Sequence, residues 1–154
     1  MKKLLLIFLA LATTYLATPA FAQEAEGGDA LIGVWEPSHG KARIKIDKIA
    51  DKYYGRIVWL KEPNDPETGD PKVDKNNPDQ SMHKAPLRGY RNLKDFVYQG
   101  DGKWAEGTIY DPENGNTYSC DIELKDENTL DIRGYIGMKT FGRSDIWKRL
   151  IIKK

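Results

Sequence analysis

The chain has a single cysteine, two histidines and almost no net charge. Each shortage removes a class of explanation. One thiol, Cys120, cannot close an internal disulfide, so stability has to come from a packed core. His39 and His83 stand alone, with no His-x-His or His-Glu-x-x-His spacing, and no metal site is expected. The 24 lysines and arginines balance 23 acidic residues and form no basic stripe, which argues against a nucleic-acid partner. Gly-x-Ser-x-Gly and phosphate-loop motifs are missing, and no cofactor is expected. No apolar run approaches the roughly 20 residues of a membrane span.

A nucleophile can be written as Cys120–His83–Asp121, but the pattern opposes it. Asp121 follows Cys120 on a strand, so the two side chains point to opposite faces. Cys120 alternates with Tyr118, Ile122 and Leu124, an apolar setting in which a thiol is inert. No catalytic residues are expected, and the chain reads as non-enzymatic. The acidic stretch from Asn64 to Asp79 misses the EF-hand spacing. Its Asp, Asn, Pro and Gly residues are turn formers, so the segment 61–86 reads as a folded loop over one barrel end, or as a lid.

What the chain does have begins at its N-terminus. Met1-Lys2-Lys3, an apolar run from Leu4 to Leu16 and the small-x-small Ala20-Phe21-Ala22 make a secretory signal peptide over 1–22. Cleavage near Ala22 predicts a periplasmic or secreted protein starting at Gln23, with one more acidic than basic side chain. Residues 23–30 are polar and read as a flexible arm.

From 31 to 154 the pattern is that of one all-β domain. Short alternating runs are separated by turn residues: Ala42-Arg43-Ile44-Lys45-Ile46-Asp47 puts its isoleucines on one face and its charges on the other. About eight such strands joined by near-neighbour connections predict an antiparallel up-and-down barrel, which has no exposed edges; the alternative is a two-sheet sandwich. Gly33-Val34-Trp35 in the first strand and Trp147-Lys148-Arg149 in the last favour the barrel. When those strands pair, Arg149 can lie across the Trp35 indole and close the floor.

The Gly-x-Trp with a closing arginine resembles the signature of lipocalin-like (calycin) barrels. Tyr54 to Asp65, Val73 to Asp79, Gly107 to Gly115 and Arg133 to Gly137 resemble a widespread bacterial family of small exported proteins known as a domain of unknown function. That resemblance implies a lipocalin-like barrel and brings no assigned activity.

A barrel of this size is either filled or forms a cup. A cup lined by rings with polar tips would take a small apolar or amphipathic molecule. Strict alternation then selects Tyr53 and Trp59 on the third strand, Trp104 and Tyr110 on a later one, and Tyr118 beyond its turn. Arg133 would meet an acidic head group. The competing expectation is a filled barrel whose loops dock a protein of the cell envelope.

Overall fold

The computed structural model describes residues 27–151; the expected signal peptide and residues 23–26 of the arm lie outside them. Eight strands follow one another around a closed barrel: β1 Gly33–Glu36, β2 Ala42–Ile49, β3 Lys52–Leu60, β4 Arg91–Gly100, β5 Lys103–Asp111, β6 Asn116–Asp126, β7 Thr129–Tyr135 and β8 Arg143–Arg149. Every neighbour pair is antiparallel, and β8 returns to pair with β1. The architecture is an up-and-down barrel rather than a sandwich. Among the described residues, no helix is long and apolar enough to cross a membrane.

Turn chemistry sets the hairpins. Between β5 and β6, the Gly115 N–H donates to the Asp111 carbonyl at 2.8 Å, and the Asp111 side chain accepts from the Glu113 N–H at 2.9 Å. Asp-Pro-x-Asn-Gly therefore folds on itself and brings the strands back together.

One end of the barrel is filled. Trp35, Leu31, Tyr53, Phe96 and Trp104 are all fully or nearly fully buried there. Trp104 meets the edge of Tyr53 at 6.2 Å and the tilted ring of Tyr98 at 5.3 Å. Residues 27–30 do not behave as a loose arm. They form a helical turn against this end, and Asp29 accepts hydrogen bonds from Lys48 and from the Tyr53 hydroxyl, at 2.8 and 2.9 Å.

The floor is closed by the first and last strands. Trp35 pairs with Arg149 in register, and the guanidinium lies 4.1 Å from the indole centroid. The same guanidinium donates to the carbonyls of Glu127, Ile32 and Ala30. The Trp35 Nε1 donates to Leu31 O at 2.9 Å. Gly33 explains the glycine of the Gly-x-Trp pattern: its φ is +150°, and a Cβ there would stand 2.5 Å from Arg149 Nη1.

Three irregularities reset which face of a strand looks inward. On β3, Ile44 pairs with Ile57 but Arg43 pairs with Trp59, so one extra residue interrupts the alternation. On β4, Asp95 takes φ 63°; Leu93 and Phe96, three apart, are both in the core. On β5, Glu106 takes φ 66°, and the register against β6 shifts between Trp104 and Gly107. Gly107 fits there because a Cβ would stand 2.5 Å from the Phe96 ring.

Candidate functional site

The other end of the barrel is hollow. A cup of about 1540 Å³ opens away from Trp35. Its deeper wall carries Ile44, Ile57, Ile109, Ile132 and Trp147. These residues lie on five different strands, each presenting its inward face, which is why the wall is apolar. Gly134 leaves room between Ile109 and Tyr118, whose atoms a Cβ would meet at ordinary contact distance.

The mouth is polar and partly braced. Lys41 and Glu113 pair across it at 2.9 Å, joining the β1–β2 turn to the β5–β6 hairpin; the pair holds the Glu113 carboxyl below its usual range. The segment 61–86 runs along one side of the mouth. It is folded by isolated bridges between Asn64 and Pro71 and between Val73 and Pro86. Asn76 Nδ2 donates to the carbonyls of Pro112 and Glu113, both at 3.0 Å. Asp74, only 1 % exposed, accepts from the Tyr110 hydroxyl and from Asn77 Nδ2, both at 2.7 Å. Burial, with Asp74 adding to it, pushes the Tyr110 hydroxyl far above its ordinary pKa. Asp65 and Asp79 spend their carboxylates on nearby backbone N–H groups. On the opposite side of the mouth, Ile136, Met138 and Phe141 stand in solvent, at 71, 65 and 75 % exposure.

The residues selected by strict alternation scatter. Tyr118 lines the cup, with its hydroxyl accepting from Asn114 Nδ2 at 3.0 Å. Tyr110 borders the cup, but its hydroxyl is committed to Asp74 and its ring packs on Tyr90 at 5.4 Å. Tyr53 and Trp104 belong to the filled end. Trp59 faces outward: the β3 bulge turns it over, and the Arg43 guanidinium stacks on it at 4.2 Å. Leu60 takes the inward place instead.

Arg133 is also outside. Its neighbours Ile132 and Gly134 line the cup, whereas its guanidinium donates to Lys139 O, Thr140 O and Ser144 Oγ. It fastens the β7–β8 loop and offers nothing to a head group in the cup.

Two inward residues carry polarity that the sequence reading did not assign to the cup. Trp147 lines it as well as serving the core, and its Nε1 donates to Asp145 Oδ2 at 2.9 Å. Asp145 sits opposite Ile132 in register, so its carboxyl faces the same interior. The signal was present: Asp145 precedes Trp147 by two, and period two puts both on one face. Cys120 lies in the buried core, opposite Gly134 in register, and desolvation, helped by Asp121, pushes its thiol well above the ordinary value.

Comparison with known proteins agrees with this geometry. Residues 33–149 match the family described as uncharacterized protein conserved in bacteria (DUF2147). The chain belongs to this family. The match runs from the Gly-x-Trp glycine to the closing arginine, so the family unit is the barrel itself. No curated protein matches the chain. Among solved structures, the DUF2147 barrel is similar to protein HP1028 from Helicobacter pylori, described as belonging to the lipocalin family. The TM-score is 0.68 at 21 % identity, covering 79 % of this chain and 84 % of that one. At that identity the likeness shows a shared lipocalin fold.

Proposed function

We propose that this barrel is an exported, non-catalytic carrier that holds a small apolar or amphipathic molecule in its cup. The observation that carries the reading is the cup: about 1540 Å³, apolar at depth and polar at its mouth. Small-molecule sites have that build, apolar with a few placed polar groups, and the cup exceeds their usual volume of roughly 300–1,000 Å³ because it takes in the loop-lined mouth. The basic start, apolar run and Ala20-Phe21-Ala22 support export. The buried, un-ionised Cys120 thiol supports a non-catalytic role.

The decisive experiment is mass spectrometry of small molecules released from the protein purified from its native host, with tryptophan emission followed during titration of amphipathic probes. A stoichiometric co-purifying molecule and saturable quenching are expected. A second reading, docking of the mouth to an envelope protein, is supported by the exposed Ile136, Met138 and Phe141. The two separate on whether a soluble amphiphile alone saturates the protein.

A further inference from the structure

The charge inside the cup bears on the head group of its occupant. Asp145 lies on the inward face of β8, in a cup whose wall includes Ile132, Ile57, Ile44 and Trp147 and the buried amide of Asn92. One carboxylate oxygen accepts from the Trp147 indole at 2.9 Å. Among the described residues, no lysine, arginine or histidine reaches its carboxylate. Of the lysines at the mouth, Lys41 pairs with Glu113, Lys72 with Glu62 and Lys75 with Asp65, and Lys61, which makes no ion pair among the described residues, does not come within 4.0 Å of it. Arg143, one inward position nearer the solvent, is exposed and makes no bridge to it. Arg133, which strict alternation offers to an acid, is on the outer wall.

Asp145 is half-buried beside an apolar wall, with no cation within ion-pair distance, so a cation that comes to it gains a charge-assisted contact. An acidic amphiphile would add a like charge to that wall. An alkylammonium would bring the missing counter-charge as a charge-assisted N–H donor. It would also sit beside the Trp147 and Tyr118 rings, which attract cations through their faces.

We infer that the cup selects cationic amphiphiles, an apolar chain bearing an amine, and that Asp145 receives the ammonium. The inference rests on the cup being the binding site.

The test is calorimetric titration of the full chain, as exported by its host, with decylamine, decanol and decanoate below their micellar concentrations at neutral pH. Decylamine is protonated there, since an alkyl ammonium like that of lysine titrates near about 10.4. The expected order is decylamine tightest, by about tenfold over decanol, with decanoate weakest. Asp145→Asn keeps an acceptor for the Trp147 indole and removes the charge. It should bring decylamine down to the affinity of decanol and leave decanol unchanged. Decanoate binding as tightly as decylamine overturns the inference, as does an amine preference that survives Asp145→Asn. Should that variant fail to fold, the order in the unmodified protein still decides. Decanol binding without charge preference sinks the inference alone, whereas no binding by any of the three removes the carrier reading as well.

Discussion

Removing the Arg149 side chain should cost far more than a surface arginine does. Its guanidinium lies 4.1 Å from the Trp35 centroid, a contact that contributes about 1 kcal/mol at a half-buried site. It also donates to three carbonyls, at Glu127, Ile32 and Ala30. Hydrogen bonds from charged donors contribute roughly 1.5–3 kcal/mol each when buried, and these must be discounted for partial exposure. The Glu127 carbonyl can return to water at little cost. The Ile32 and Ala30 carbonyls close over the floor and contribute about 1 kcal/mol each. Arg149→Ala should therefore lose about 3 kcal/mol, or roughly 10 °C in Tm for a domain of this size. Guanidinium denaturation followed by tryptophan emission measures it. Arg149→Lys separates the causes, because it keeps a cation near the indole and loses the planar fork. It should recover no more than about a third of the loss. A lysine variant as stable as the parent would refute the fork argument, and an alanine variant losing under about 0.5 kcal/mol would refute closure by Arg149 altogether.

Gly107→Ala places a Cβ 2.5 Å from the rigid, buried Phe96 ring and should lose about 1–3 kcal/mol in the same assay, with Phe96→Leu restoring part of it. Tyr110→Phe leaves the buried Asp74 carboxylate with Asn77 alone; a loss of about 1–3 kcal/mol and faster proteolysis of the 61–86 segment are expected. The Asp29 carboxyl is held below its ordinary 3.8 by hydrogen bonds from Lys48, then from Tyr53. Its contribution is therefore complete above that value and is lost as acid drives the pH through the lower, folded pKa; an acid titration of stability should flatten in Asp29→Asn. The Cys120 thiol is held neutral by burial, so thiol reagents should label it only on unfolding. Stability should decline once the pH climbs past 9.0, where the unfolded thiol ionises first.

The fold was legible because its evidence is local or redundant. Each strand announces itself through alternation and turn residues, and an error in one leaves the other seven in place. Closure was legible for a different reason: Gly33, Trp35 and Arg149 sit at opposite ends of the domain, and only a barrel brings them together. The ordered turn at 27–30 was missed because its polar, Gly-containing composition hides one tether, the Asp29 carboxylate shared by Lys48 and Tyr53.

The cup was far less legible, because inward and outward are decided by parity. A single extra residue reverses every assignment beyond it. The bulge before Trp59 sends that ring under Arg43, outside the wall. The reset at Glu106 leaves Trp104 and Gly107 both inward, so Tyr110, three beyond Gly107, loses the face it shares with Trp104 by simple counting. Glu106 is not a residue type that advertises a left-handed backbone, and Asp95, one of many aspartates in the chain, advertises it only weakly beside glycine. Where no bulge intervenes, counting works: on β8, Asp145 and Trp147 do share the interior, and on β7 the apolar Leu130 and Ile132 fix Arg133 to the outer face. The same rule that places Asp145 within the cup removes Arg133 from it and leaves Arg143, at the exposed start of β8, as the arginine nearest a ligand.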